Sequence, residues 1–404
     1  MLGFLKKHDH RFLILLIGWF VSSVGFALAI PFISIYFHSE LKMSLSQIGI
    51  FFGVAGVVRA ISQSFGGELS DKLGRYRIMV IAQICRSAAF LLIAYSIHAK
   101  WSFYGIGGVI LINFIFGSLF QPAANASVAD LVRPKDRTEG YATVRVADNL
   151  GWAVGPALGG YIAANSYSDL FIFSAILTFV SGAIIGLFVK GIKSPVLEEK
   201  YSGWKDIFSI KDDKIILRHV AFIFILQLCV AQMIAPFSLY SVDFIGITKS
   251  QLGFLFMLNG LMVTFLQIPI TRMLRQTRLT SQLAMGAMFY ILGFIIIGFS
   301  SSYGYFMIAF VILTMGENFV SPPGMSIAAN LAPEGKIGRY MGIYGFAIAA
   351  GWSFGPLVGG LLLDLAKPNF IFMWGFIALL TATAALGFRK LSRYIPPELN
   401  IYRK

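Results

Sequence analysis

The decamer at Gly151–Gly160 reads GWAVGPALGG, and the chain writes it again at Gly351–Gly360 as GWSFGPLVGG. Glycine and proline disfavour helices in water, yet both copies lie inside long apolar runs. Two matched copies at the same place in two halves indicate an internal repeat, with one geometric requirement met twice. The match extends outwards. QPAANASVADLVRPKDRTEGY (121–141) parallels SPPGMSIAANLAPEGKIGRYMG (321–342), aligning Pro122 with Pro322 and Leu131 with Leu331. Earlier, QIGIFFGVAG (47–56) resembles QLGFLFMLNG (251–260).

The setting of the repeat is a membrane. Of 404 residues, 57% are hydrophobic and only 13% charged, where a soluble domain carries about 25% charged residues. A bilayer-crossing helix needs about 20 mainly apolar residues. Such runs fall at 12–37, 46–66, 78–97, 104–130, 140–164 and 169–189, then at 216–244, 250–272, 281–299, 304–331, 340–364 and 369–388. The expected fold is all-α and membrane-embedded: twelve spans in two six-helix bundles related as parallel repeats. The first bundle covers 1–189, a polar linker 190–215, and the second bundle with a short tail 216–404. An interfacial helix is expected within the linker at Trp204–Ile210. Ala27-Leu28-Ala29 imitates a signal-peptidase site, but the apolar run continues past Pro31 to Phe37, so the segment reads as an uncleaved first span. Cys85 and Cys229, the only cysteines, lie in apolar runs and read as buried thiols; neither a disulfide framework nor a metal site is expected.

Charge sets the orientation. Of 33 lysines and arginines, the loops on one side hold only Lys42, Lys100, Lys249 and Lys367, and Arg59, Arg86 and Arg145 fall inside spans. The rest gather on the other side, which the positive-inside rule makes cytoplasmic, together with both termini and the linker. The net charge of +14 then marks topology near anionic headgroups. It does not mark a nucleic-acid surface, because no basic cluster belongs to a separate soluble domain.

The loop expected after span two is GGELSDKLGRYR (66–77). Gly67, Asp71, Lys72, Gly74, Arg75 and Arg77 fill the pattern G-x-x-x-D-[RK]-x-G-[RK]-x-[RK] without a gap. Through this motif, and over essentially its whole length, the chain resembles the major facilitator superfamily. The resemblance implies alternating-access transport, with this segment as a cytoplasmic gate whose aspartate pairs with neighbouring helix ends. The matching place in the second half has lost the pattern, with Arg275 where Asp71 would stand.

GWAVGPALGG resembles the superfamily's antiporter motif, typical of its drug:proton exporters. Gly151, Gly155 and Gly159, with Gly160 beside them, form a small-xxx-small groove that admits another helix closely. Pro156 frees a carbonyl and bends the helix where neighbours resatisfy it. Gly351, Gly355, Pro356, Gly359 and Gly360 repeat the arrangement. On spacing alone, leucine at Gly155 or Gly355 should disable the protein and alanine should be milder. Packing without directional meaning remains an alternative to an export signal. Gly351–Gly355 also matches G-x-S-x-G, but that pattern works on a strand-to-helix elbow and this segment is a predicted span.

Ionisable groups inside a bilayer face a cavity or a partner. Arg86 and Glu317 fall near the middles of spans three and ten. Arg59 lies in span two with Gln63 one turn away. Arg145 and Asp148, three residues apart in span five, can pair on one helix face. Glu317 and Asp148 are the proton-coupling candidates. Arg59, Gln63, Arg86, Asn113, Gln121, Arg145, Gln227, Gln232, Asn259 and Glu317 are the candidates for lining a substrate cavity, with Asn125 and Gln267 nearby. One departure from the resembled branch stands out. Its members usually carry an arginine four residues before a span-four glycine, and Asn113 stands there before Gly117.

The sequence therefore reads as a secondary transporter, proton-coupled and exporting amphipathic or drug-like compounds. The alternative is an anionic, zwitterionic or lipid-like solute, since three intramembrane arginines outnumber Asp148 and Glu317. A polytopic enzyme or sensor is a further class, opposed by the two-fold repeat and by the lack of HExxH or Walker patterns. The expected partners are the bilayer and a small-molecule substrate. No nucleic acid and no cofactor are expected, the driving ion is a proton, and the chain is expected to be a monomer in the plasma (inner) membrane.

Overall fold

The computed structural model describes residues 9–133, 136–189, 213–333 and 337–402; the helix expected at Trp204–Ile210 lies outside them. Every apolar run becomes a helix. These are α1 (His10–Ser39), α2 (Leu45–Leu73), α3 (Arg75–His98), α4 (Phe103–Leu131), α5 (Arg137–Asn165) and α6 (Tyr167–Phe188). The second set is α7 (Lys214–Phe244), α8 (Lys249–Met273), α9 (Leu279–Phe299), α10 (Tyr303–Leu331), α11 (Ile337–Ala366) and α12 (Ile371–Leu391). Eleven of these are long and apolar enough to cross a membrane. The twelfth, α5, has the length at 29 residues but carries Arg137, Glu139, Arg145 and Asp148.

Two helices depart from expectation. The apolar run places the end of α2 near residue 66, but the helix continues to Leu73. Nothing breaks it earlier, and Glu68 and Lys72 pair across one turn at 2.5 Å, a spacing that supports a helix. Gly67 to Leu73, expected in a loop, are therefore helical. The whole connection to α3 is Gly74, at φ +93° and ψ 133°, a conformation reserved for glycine. In α7 the α-helix stops at Val230 and gives way to a 3-10 turn at Ala231–Met233. A short helix at Ala235–Leu239 and a π turn at Tyr240–Phe244 complete the span. Pro236 accounts for the break, because its ring cannot follow a helical carbonyl four residues earlier. Gln232 repairs the local hydrogen bonding: its Nε2 donates to the Leu228 and Gly355 carbonyls, both at 2.8 Å.

Helix packing repeats between the halves. α1 packs on α5 and α6, and α3 on α4 and α6; likewise α7 packs on α11 and α12, and α9 on α10 and α12. The interior is apolar, with Phe12, Leu15, Trp19, Met79 and Phe120 in one continuous cluster. The outward faces are apolar too: Phe265, Phe299, Phe372 and Leu379 are each more than half exposed, a surface that suits lipid and not water.

The compact units do not follow the sequence halves throughout. One comprises Met1–Met43, Val57–Glu198 and Ser241–Leu261; the other comprises Ser44–Gly56, Glu199–Tyr240 and Met262–Lys404. The start of α2 thus groups with the second half and the start of α8 with the first, whereas the sequence divides at 189 and 216.

Candidate functional site

The glycine decamers build the tightest helix crossings. In the first unit, a Cβ added to Gly151 would lie 2.5 Å from the Ser23 Cβ, and one on Gly155 would lie 2.8 Å from the Ala27 Cβ. Gly159 meets the Leu28 carbonyl. In the second unit, Gly351 meets Gln227 at 2.7 Å, Gly355 meets Ala231 at 2.5 Å, and Gly359 meets Gln232 and Pro236. Real Cβ atoms do not approach so closely, so only glycine fits. The groove of α5 holds α1, and that of α11 holds α7.

Each decamer helix also meets the repeat found at 47–56 and 251–260. Gly253 and Gly260 of α8 pack on Pro156 and Ala153 of α5, while Gly49 and Gly56 of α2 pack on Pro356 and Ser353 of α11. Gly160 meets Lys249, and Gly360 meets Leu45 and Gly49. Both repeated segments are thus two sides of one glycine-lined crossing, made once in each unit. Ser353 Oγ donates to the Ala349 carbonyl at 2.7 Å within the helix, so the G-x-S-x-G match has no elbow and no exposed nucleophile.

The predicted gate residues separate. Asp71 stands on the last turn of α2, its side chain outside those described. Arg75 opens α3, and its guanidinium pairs with Asp130 near the end of α4 and donates to the Ala126 carbonyl at 2.6 Å. Both side chains of this pair are nearly buried, at 8% and 12% exposure. Sequence reading missed Asp130; the signal available was an acid within one turn of the α4 terminus. Gly67 has open space around it, and Lys72 is exposed.

The intramembrane charges of the first unit form two groups. Asp148 accepts hydrogen bonds from Ser23 Oγ at 2.5 Å and Trp19 Nε1 at 3.3 Å, both from α1, and lies within the field of Arg145. The hydrogen bonds of Asp148 thus come from a second helix, α1, which fixes the carboxylate where α1 and α5 cross. The other group is Arg59 and Arg86. Their guanidiniums lie over the Phe26 ring at 5.8 and 4.7 Å, with Phe114 5.7 Å from Arg59 and Phe90 5.6 Å from Arg86. Such distances are those of cation–π attraction. Asn113 is buried and donates to the Arg86 carbonyl at 3.1 Å. A Cβ on Gly117 would lie 3.1 Å from Arg86 Nε, so the guanidinium that α4 lacks at position 113 arrives beside Gly117 from α3. Gln63 and Gln121 are exposed, and Asn125 is half-buried.

In the second unit the polar candidates scatter. Glu317 is half-buried mid-α10, near Tyr290. Gln267 donates to the Asn318 carbonyl at 3.1 Å. Gln227 accepts from Trp352 Nε1 at 3.0 Å. Gln232 is fully buried in the groove, which removes it from any cavity lining and makes it a backbone repair. Asn259, half-buried on α8, belongs to the first unit.

This geometry can be set beside known proteins. The family model of the Major Facilitator Superfamily matches residues 15–356 and 220–400. The chain belongs to the Major Facilitator Superfamily. Superfamily relatives include a Na(+), Li(+), K(+)/H(+) antiporter of Planococcus maritimus, 26% identical over 95% of this chain and 96% of that protein. The multidrug resistance protein MdtH of Shigella boydii is 23% identical over 87% and 86%. The crystal structure of a mutant of the nucleoside transporter NupG shares the fold with a TM-score of 0.79 and 14% identity, over 94% and 99% of the two chains. This chain is accordingly a multi-pass membrane transporter of the superfamily and not an enzyme.

Proposed function

We propose that the protein is a proton-coupled secondary transporter that exports amphipathic solutes by alternating access, sited in the plasma membrane with both termini cytoplasmic. The observation that carries this is the pair of glycine-lined crossings. Each unit contains one helix whose glycines bring it against a neighbour's backbone, as at Gly159 with Leu28 and Gly360 with Leu45, the close approach that small residues allow between membrane helices. Parallel-repeat transporters of this kind rock about a midplane site. Asp148 and Glu317 supply membrane carboxylates for proton carriage, and the names of the two relatives support antiport and drug export. The distribution of basic residues supports the orientation.

The test is flux in proteoliposomes. With an imposed pH gradient and no ATP, an amphipathic fluorescent solute should move uphill against the proton flow. Transport that equilibrates but never concentrates solute, whatever the gradient, would remove the proton coupling.

A further inference from the structure

Arg59 and Arg86 are the two charges of the first unit that the transport reading leaves unexplained. Both stand near the middles of their helices, α2 and α3, where an ionised side chain is costly. Among the described residues, neither takes part in an ion pair. Both guanidiniums instead approach one half-buried ring, Phe26. Two like charges gathered at one ring repel each other, and the repulsion grows as the surroundings lose water. Arg86 is 5% exposed and its Nε has no hydrogen-bond partner. A buried guanidinium donor left unmade is expensive. Arg59 beside it is exposed, and its planar fork offers further donors.

The walls match these donors to one kind of ligand. Phe26 touches Phe114 and Trp152 edge-on, at 6.4 and 6.1 Å between ring centres. A small inorganic anion would use the guanidiniums and leave the rings idle. A cation would meet two positive charges. We infer that Arg59, Arg86 and Phe26 form a binding site for an amphipathic organic anion, its carboxylate, sulfonate or phosphate held by the two guanidiniums and its apolar body laid on Phe26, Phe114 and Trp152. Planar guanidiniums bind such oxyanions in a forked geometry that lysine does not reproduce. The inference rests on the reading of the chain as a transporter of amphipathic solutes and narrows the solute to anions. The same chemistry suits a free solute or an anionic lipid headgroup.

The full-length protein in phosphatidylcholine nanodiscs tests this by calorimetric titration with 6-phenylhexanoate, 6-phenylhexylammonium and inorganic sulfate, with empty nanodiscs subtracted. The phenylhexanoate should bind at least about tenfold tighter than either other probe, and Arg59→Gln or Arg86→Gln should weaken it by about tenfold or more. Arg218→Gln, which removes a charge resting on Tyr394, should leave it unchanged. If Arg86→Gln fails to fold, Arg59→Gln carries the test, because Arg59 is exposed. Repeating the titration with phosphatidylglycerol in the nanodisc separates the sources: competition by the lipid identifies a headgroup as a natural occupant, and its absence identifies a free solute. Equal or tighter binding of the ammonium probe, or phenylhexanoate affinity untouched by the Gln variants, overturns the site. Anion binding without pH-driven flux would instead sink the coupling and leave the site standing. Uphill flux of cations with no anion binding would do the reverse.

Discussion

Gly49 rests against the carbonyl oxygen of Pro356, and a Cβ built on Gly49 would lie 2.7 Å from that oxygen. Gly253 meets Pro156 in the same way, closer still. The obstacle is backbone, so it cannot rotate aside. Spacing alone ranks alanine milder than leucine at Gly155 and Gly355; at Gly49 and Gly253 even a Cβ meets backbone. Gly49→Ala and Gly253→Ala should each cost about 1–3 kcal/mol, the range for overpacking a tight interior. A lowered Tm in detergent and slowed flux would show it, with Gly108→Ala, which has open space, as the unaffected control.

Gly74 separates turn geometry from motif identity. Nothing lies within 4 Å of a Cβ there, yet its φ is +93°. Gly74→Ala therefore meets conformational strain alone, about 1–3 kcal/mol. Gly67→Ala, on the helical side of the same motif and equally uncrowded, should be nearly neutral. Tm values for the two variants check this, and equal destabilisation would mean that Gly67 is needed for something other than backbone freedom.

The Arg75–Asp130 pair is nearly buried, so removing one partner strands the other. Asp130→Asn or Arg75→Gln should each destabilise by about 3–5 kcal/mol, and the double variant by less than their sum. Denaturation of all four forms gives the coupling energy. Additive losses would show that the pair acts as two unrelated groups.

Asp148→Asn is a clean probe of charge. Both of its hydrogen bonds are accepted by one carboxylate oxygen, and an asparagine Oδ1 keeps both. The variant should fold, bind solute and exchange it downhill while losing pH-driven accumulation. Glu317→Gln asks the same of α10. Whichever variant still concentrates solute under a gradient is not an essential proton carrier, and flux with and without the gradient decides between them.

The fold was legible because eleven of the twelve helices are long apolar runs, and the repeat was legible because glycine has no substitute at a backbone crossing. The start of α2 and the start of α8 were also visible as a repeat, QIGIFFGVAG and QLGFLFMLNG, but sequence gives no partner for a groove. Only the folded chain shows each segment facing the opposite decamer. The gate motif was read as a loop because hydropathy ends where polarity begins, whereas a helix ends where backbone geometry forces it to, at Gly74. Asp148 and Arg86 stood out as misplaced charges. Their companions Ser23, Trp19 and Phe26 did not, since a serine or an aromatic in a membrane helix is ordinary until something is seen against it.

The single-residue joint at Gly74 has a mechanical consequence. A connection of several residues can absorb the tilt of one helix without moving the next, whereas a joint one residue long has almost no slack. Any rotation that lifts the end of α2 must be passed to the start of α3, and with it to Arg75 and the end of α4 that Arg75 holds through Asp130. The three helix ends then move as one lever, and a few flexible residues inserted at Gly74 would leave each helix intact while letting the lever slip.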